Sequence, residues 1–278
     1  MSDTTFSLVP VWQIIWAWRK RIVVFVAVVS IASAVAVFFL PKYYLSAVLA
    51  VPGNPYLADK GHLFNSNIQG LYSPYGSGDE LERLNGIAEL DTVYKTVIKE
   101  FGIVDYYKLP ANEPEKSMYK AIKALREDLR IQQTDKGQLK ILMWHEDPQK
   151  AAAIVNRVAS ITQQIAMDMQ VQYNQQSLTN IDSEIVRLRN YIQVSSNSEV
   201  MERQGQKLAS YNNIAEEIKL AIANNPKALI IQEQGYASGK EDKPKKLPIV
   251  AAAFFLSLLF AVLTALLYNR KNNHASAV

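Results

Sequence analysis

The chain is 278 residues long, with 30 Lys+Arg against 26 Asp+Glu, a formal charge of +4 and no cysteine. The missing cysteine excludes disulfide frameworks, thiolate zinc sites, iron–sulfur clusters and thiol nucleophiles, while leaving the compartment open. A pI near 9.0 fits a polyanion partner only if the positive charge lies on a folded surface.

From the N-terminus, Trp12, Trp16 and Trp18 lead into Arg19, Lys20 and Arg21, and residues 22–40 then read IVVFVAVVSIASAVAVFFL with no charge. About 20 apolar residues cross a ~30 Å hydrocarbon layer as a helix, so this is a predicted transmembrane span. A cleaved signal peptide is the competing reading, with a small-residue site at 34–36, but the apolar run is longer than an h-region and continues past that site. Residues 247–268, LPIVAAAFFLSLLFAVLTALLY, form a second uncharged run, with Pro248 in the first turn, where a missing N–H costs little. The tryptophans, Tyr43, Tyr44 and Tyr268 sit where headgroups begin.

The cluster 19–21 outweighs Lys42 across the first run, so the N-terminus is expected to be cytoplasmic. Two spans return the C-terminus to the same side, in agreement with Arg270 and Lys271. The lysines at 240, 243, 245 and 246 argue the other way. The segment between the runs is, however, far longer than the ~60 residues within which loop charge sets orientation. The expected organisation is a cytoplasmic N-terminus (1–21), a first span (22–40), an extracytoplasmic unit (41–246), a second span (247–268) and a cytoplasmic tail (269–278). Between residues 43 and 246 there are 24 Lys+Arg and 25 Asp+Glu, so the positive balance belongs to the membrane flanks and nucleic acid drops out as a partner.

Within the extracytoplasmic unit, residues 44–51 (YLSAVLAV) read as a strand ending at Pro52-Gly53. Residues 52–78 form a Gly/Pro/Asn/Tyr-rich loop, in which Tyr72 and Tyr75 would stack on sugar rings or, as such loops more commonly do, pack on their own base. A helical pattern from Asp79 runs through Leu81, Leu84, Ile87, Leu90, Val93 and Val97 to Phe101, with Gly102 as the stop. A second helix is expected from Pro114 to about Asp128, and then a strand pair (129–133 and 138–144) around a turn at 135–137. Leu139, Ile141 and Met143 alternate with polar neighbours there. Asp147 caps a long helix with Pro148 at its first position. Leu178, Ile181, Ile185, Leu188 and Ile192 step by 3, 4, 3, 4, a coiled-coil seam.

A polar break at 195–198 is followed by a shorter helix with Leu208, Tyr211, Ala215, Ile218 and Ile222 on its seam, ending near residue 225. The two form a helical hairpin (about 148–224) whose first arm would reach ~65–70 Å at ~1.5 Å per residue. The seams are either subunit interfaces or the inside of each hairpin. Residues 228–234 make a last strand before a Lys/Pro tether containing Pro244. The fold class is therefore an α+β unit with a protruding, coiled-coil-like helical hairpin, flanked by two transmembrane helices.

No catalytic, cofactor or metal constellation is predicted. His62, His145 and His274 have no second histidine at ligand spacing. The cluster His145-Glu146-Asp147 reads as a solvated turn with a helix cap, and the Gly235 to Lys240 segment departs from a phosphate loop in both spacing and context.

Four segments carry a resemblance: the N-terminal basic residues and span leading into Pro41-Lys42-Tyr43-Tyr44-Leu45-Ser46-Ala47; residues 90–103 (LDTVYKTVIKEFGI); residues 139–152 (LKILMWHEDPQKAA) with Ile154-Val155-Asn156; and Lys243-Pro244-Lys245-Lys246-Leu247-Pro248 before the second run. Together they resemble the polysaccharide co-polymerase family, the Wzz-type chain length determinant proteins of bacterial inner membranes, in its kinase-free class. The second run departs from the family in lacking glycine, and the hairpin is short for it. The resemblance implies a non-enzymatic inner-membrane protein with a periplasmic main domain. It also implies a homo-oligomeric ring that works with a polysaccharide polymerase and the lipid-linked glycan to set the length of a surface polysaccharide such as an O-antigen, capsule or exopolysaccharide. Two readings compete: a periplasmic adaptor of an envelope export machine, and a two-span sensor subunit, the latter needing a partner because only short segments flank the spans.

Overall fold

A computed structural model describes residues 8–53, 78–110, 112–195, 197–225 and 227–275. In chain order the elements are α1 (Leu8–Phe38), β1 (Tyr43–Pro52), α2 (Gly78–Ala88), α3 (Asp91–Phe101), α4 (Ile103–Tyr106), α5 (Pro114–Asp128), β2 (Leu129–Gln133), β3 (Leu139–His145), α6 (Pro148–Val194), α7 (Ser198–Asn224), β4 (Leu229–Glu233), β5 (Glu241–Lys243) and α8 (Lys246–Ala275). They fall into two compact units, Tyr44–Gly239 and the two terminal segments, Met1–Tyr43 with Lys240–Val278. The tyrosine-rich loop reading, with Tyr72, Tyr75 and His62, lies outside the described residues.

In the larger unit an antiparallel sheet runs in the order β2-β3-β1-β4. The register sets Ser46, Val48 and Ala50 of β1 opposite Met143, Ile141 and Leu139 of β3, and Ile141 opposite Ile131 of β2, so these side chains share one face. The helices α2, α3, α5 and the first third of α6 cover that face. Their Leu84, Val93, Val97, Ile98, Leu125, Ile154, Val155 and Val158 are fully or almost fully buried with it in one core. Each side chain of this kind contributes about 1.5–3 kcal/mol when removed from water.

Two expectations change here. The helix read as continuous from Asp79 to Phe101 is two helices, because Leu90 leaves the helical region (φ −63°, ψ 139°) and α3 restarts at Asp91. Arg126 of α5 sits at this break, 2.9 Å from the Asp91 carboxylate, and donates weakly to the Glu89 carbonyl. Second, β3 does not alternate between buried and solvated positions. Leu142 and Trp144, on its other face, are also buried, with the Arg130 guanidinium 5.3 Å from the Trp144 ring. Gly102 stops α3 in the left-handed region (φ 63°), as glycine does at no steric cost.

In the terminal unit, α1 and α8 contain the segments Trp12–Phe38 and Lys246–Asn269, each long and apolar enough to cross a membrane. They pack through Ile22 and Val26 against Ala261 and Ala265. Alanines on α8 thus supply the small residues that let two such helices approach, and no glycine is needed. At the opposite end of the pair, Glu241 accepts from Lys42 (3.2 Å) and from Lys246, and Asp242 pairs with Lys245 at 2.7 Å. The lysine hydrogen bonds hold the Glu241 carboxyl below its usual range. The charge that argued against the expected topology is therefore partly neutralised where it stands.

Candidate functional site

The segment from β3 into α6 is where local sequence and tertiary structure meet most tightly. Asp147 accepts from the backbone N–H groups of Gln149 (2.8 Å) and Lys150 (3.3 Å), and Pro148 occupies the first helical position, whose N–H would be unpartnered in any case. His145 is 3% exposed, stacks on Tyr106 with ring centroids 4.2 Å apart, and accepts the Asp147 N–H at Nδ1 (2.9 Å). Its role is to hold the turn. No group of three or more histidine, aspartate or glutamate side chains fit for a metal ion occurs among the described residues.

Burial, then Lys150, push the His145 pKa below its ordinary 6.5, outweighing the opposing pull of Asp147 and Glu146. The unfolded chain therefore binds more protons, so the stabilising contribution is complete above about pH 6.5 and is lost as pH falls from there through the folded pKa. Thermal melting as a function of pH should show this limb, and His145→Phe, which keeps a ring on Tyr106, should flatten it. A limb unchanged in the variant would assign the effect to other groups.

Two turns into α6, the Asn156 amide grips the exit from β4 from both sides. Its Nδ2 donates to the Gly235 carbonyl and its Oδ1 accepts the Gly235 N–H, both at 2.9 Å. A side chain at Gly235 would start 2.3 Å from Val155 Cγ2, so glycine lets the chain pass close to the helix. The other edge of the same junction is Gly53, whose N–H donates to the Ala228 carbonyl at 2.8 Å. Arg157 adds a two-pronged pair with Glu100 of α3 (2.7 and 2.6 Å), which holds that carboxyl below its usual range. Sequence reading placed Asn156 in a motif but gave it no task, read Gly53 only as the end of the first strand, and met Gly235 only in a segment that departs from a phosphate loop. The clamp joins residues far apart in the chain, so only the Asn-in-helix position and the glycines themselves hinted at it.

The hairpin seams are the second candidate surface. Ile185 and Leu188 on α6, and Ala215, Ile218 and Ala221 on α7, are buried where these helices pack together, flanked by half-buried Leu178, Ile181, Ile192, Tyr211 and Ile222. Within one chain the hairpin therefore covers Ile185, Leu188, Ala215, Ile218 and Ala221 and leaves the rest of both rows partly open. Below Leu178 the same face of α6 carries Asn174 and Gln170, 2% and 7% exposed, a polar layer that the heptad reading did not extend to.

The expected anchoring residues lie in the terminal unit. Trp12 and Trp16 are exposed and stacked, with centroids 6.2 Å apart, and the Arg19 and Arg21 guanidinium groups lie over Trp16 and Trp18 at 4.3 and 4.7 Å. Lys20 is exposed, Pro248 is in the first turn of α8, Pro244 follows a cis peptide bond, and Arg270 and Lys271 fall on the last turns of α8.

No family profile and no curated protein matches the sequence. Among solved structures the chain is similar to one described as a full-length bacterial polysaccharide co-polymerase, at 14% identity and a TM-score of 0.46, over 96% of this chain and 99% of that one. It is also similar to a fragment of WzzB, a polysaccharide co-polymerase from Salmonella Typhimurium, at 14% identity and a TM-score of 0.33, over 73% of this chain and all of the fragment.

Proposed function

We propose that this chain is a non-enzymatic polysaccharide co-polymerase of a bacterial inner membrane. It crosses the membrane twice, keeps both termini cytoplasmic and places the Tyr44–Gly239 unit in the periplasm. It assembles as a homo-oligomeric ring and sets the chain length of a surface polysaccharide built by a separate polymerase. The observation that carries the reading is the architecture: two apolar helices bracket one α+β unit from which a two-helix arm extends. The segment 139–156, strongest in the sequence resemblance, forms the cap and clamp that root this arm in the sheet. Exposed Met169, Tyr173 and Tyr191 on α6 and Leu220 on α7 are apolar area that neighbouring subunits would cover.

Deleting the gene should turn a clustered polysaccharide ladder on a gel into a broad distribution, and restoring it should recover the cluster. An unchanged ladder would reject the proposal. The full chain in detergent should have a mass several times that of one subunit, and a strict monomer would exclude the ring. Because the chain has no cysteine, single cysteines introduced at exposed positions report topology directly. One at Lys136, exposed in the turn between β2 and β3, should react with an impermeant thiol reagent in spheroplasts, and one at Trp12 should not.

A further inference from the structure

The α1–α8 pair carries a feature that the length-control reading does not use. Beside the Ile22–Ala261 contact the two helices leave a groove of about 260 Å³ lined by Trp18, Arg21, Phe25, Phe260 and Thr264. Phe25 and Phe260 form its apolar part, with ring centroids 6.1 Å apart, and the edge contact of Trp18 with Tyr268 (5.1 Å) lies towards its other end. Arg21 is the one charged residue lining it. Its guanidinium lies over Trp18, and neither 8–41 nor 244–275 contains an aspartate or glutamate. The described carboxylates of this unit, Glu241 and Asp242, are near the far end of α1, about 25 Å along the helix from Arg21 at 1.5 Å per residue, and are paired with lysines there.

Resting on the reading that α1 and α8 span a membrane, we propose that this groove binds an anionic glycerophospholipid of the leaflet that faces the chain termini. Its phosphate sits on Arg21 and one acyl chain runs between Phe25 and Phe260. The planar guanidinium offers several donors to phosphate oxygens and is more weakly hydrated than an ammonium. Arg19 and Lys20 in the same turn add a cationic field, and no carboxylate lies in α1 or α8. Such a field favours a net anion over a zwitterion. A free phosphate would leave the apolar length of the groove uncovered, whereas a lipid fills both ends with matching chemistry.

The test uses the full chain reconstituted in vesicles of phosphatidylcholine and phosphatidylglycerol, first checked by flotation, with lipid retained on the protein then read by native mass spectrometry. Phosphatidylglycerol should be retained over phosphatidylcholine. Arg21→Gln should lower that retention about tenfold. Lys20→Gln removes the same charge from an exposed position about 200° around the helix from Trp18, so it weakens only the field and should lower retention far less than Arg21→Gln does. Thr264→Trp should fill the groove and abolish retention with helix content preserved by circular dichroism. No preference for phosphatidylglycerol, equal losses in the Arg21 and Lys20 variants, or full retention in the Thr264 variant each overturns the lipid site alone. A chain that does not float overturns the membrane reading together with it.

Discussion

Replacing Gly53 with alanine should lower the melting temperature of the larger unit more than any substitution on the hairpin surface. The added Cβ would fall 1.8 Å from the Lys227 carbonyl oxygen and 2.9 Å from its carbon. Both are backbone atoms, so no flexible side-chain end can move aside. The clash must push apart β1 and the entry to β4, which meet through Gly53 N–H to Ala228 O. Overpacking of this kind costs about 3 kcal/mol, and at ~2–4 °C per kcal/mol for a domain of this size the drop is roughly 6–12 °C. Gly86 is the matched control. It lies in α2 with nothing within 4 Å of an added Cβ, so Gly86→Ala should stabilise by about 0.5–1 kcal/mol. At the opposite edge, Asn156→Leu takes both hydrogen bonds from Gly235 and should cost about 1–3 kcal/mol. Melts of Gly53→Ala and wild type within 2 °C of each other would contradict the close approach.

Asn174→Leu should act in the opposite direction and make the hairpin more stable. Asn174 lies between Gln170 and Leu178 on the seam face of α6, and its Nδ2 has no hydrogen-bond partner among the described residues. A buried donor in this state costs about 1–3 kcal/mol, and a leucine would both remove that cost and add apolar area. Amide hydrogen exchange around residues 170–178 and 215–222 should slow, and the melting temperature should rise by several degrees. Faster exchange there would show that the asparagine is satisfied. The polar layer has a second expected effect, because a buried amide in a coiled-coil seam fixes register at the expense of stability. The leucine variant should therefore tolerate shifts of α7 along α6 that the native pair excludes.

What could be read from sequence divides by the range of the interactions involved. The Asp147 cap with Pro148, the turn at Gly137 and the stop at Gly102 are set by residues within a turn of the structure they make. The division at Leu90 is not. The apolar spacing from Leu84 to Val97 continues across it, with neither glycine nor proline from Ile87 to Val97, and the break is braced by Arg126 from 35 residues away. The alternation read on Leu139, Ile141 and Met143 missed that Trp144 is buried too, because nothing local shows that Arg130 lies over its ring. The seam at 178–192 was legible as a heptad, whereas Gln170 and Asn174 disappeared from it, because polar residues on such a face look like its end. The groove between α1 and α8 needs two segments more than 200 residues apart in the chain, and each alone reads only as a span.

The arms of the hairpin are unequal, 47 residues in α6 against 27 in α7. At 1.5 Å per residue α6 is about 70 Å long but extends beyond its partner by about 30 Å, a length laid against the sheet from Ala151 to Ala166, so the paired arm is about 40 Å. After Pro148 no proline or glycine interrupts the helix. It therefore works as a lever whose short end is bolted to the sheet by the Asn156 clamp and the Arg157–Glu100 pair. A tilt of about 5° at that root carries the tip of the ~40 Å arm roughly 3.5 Å. The hydrogen bonds of Asn156 to Gly235 put the exit of β4 at the foot of this arm, where torque from a load at the tip is greatest.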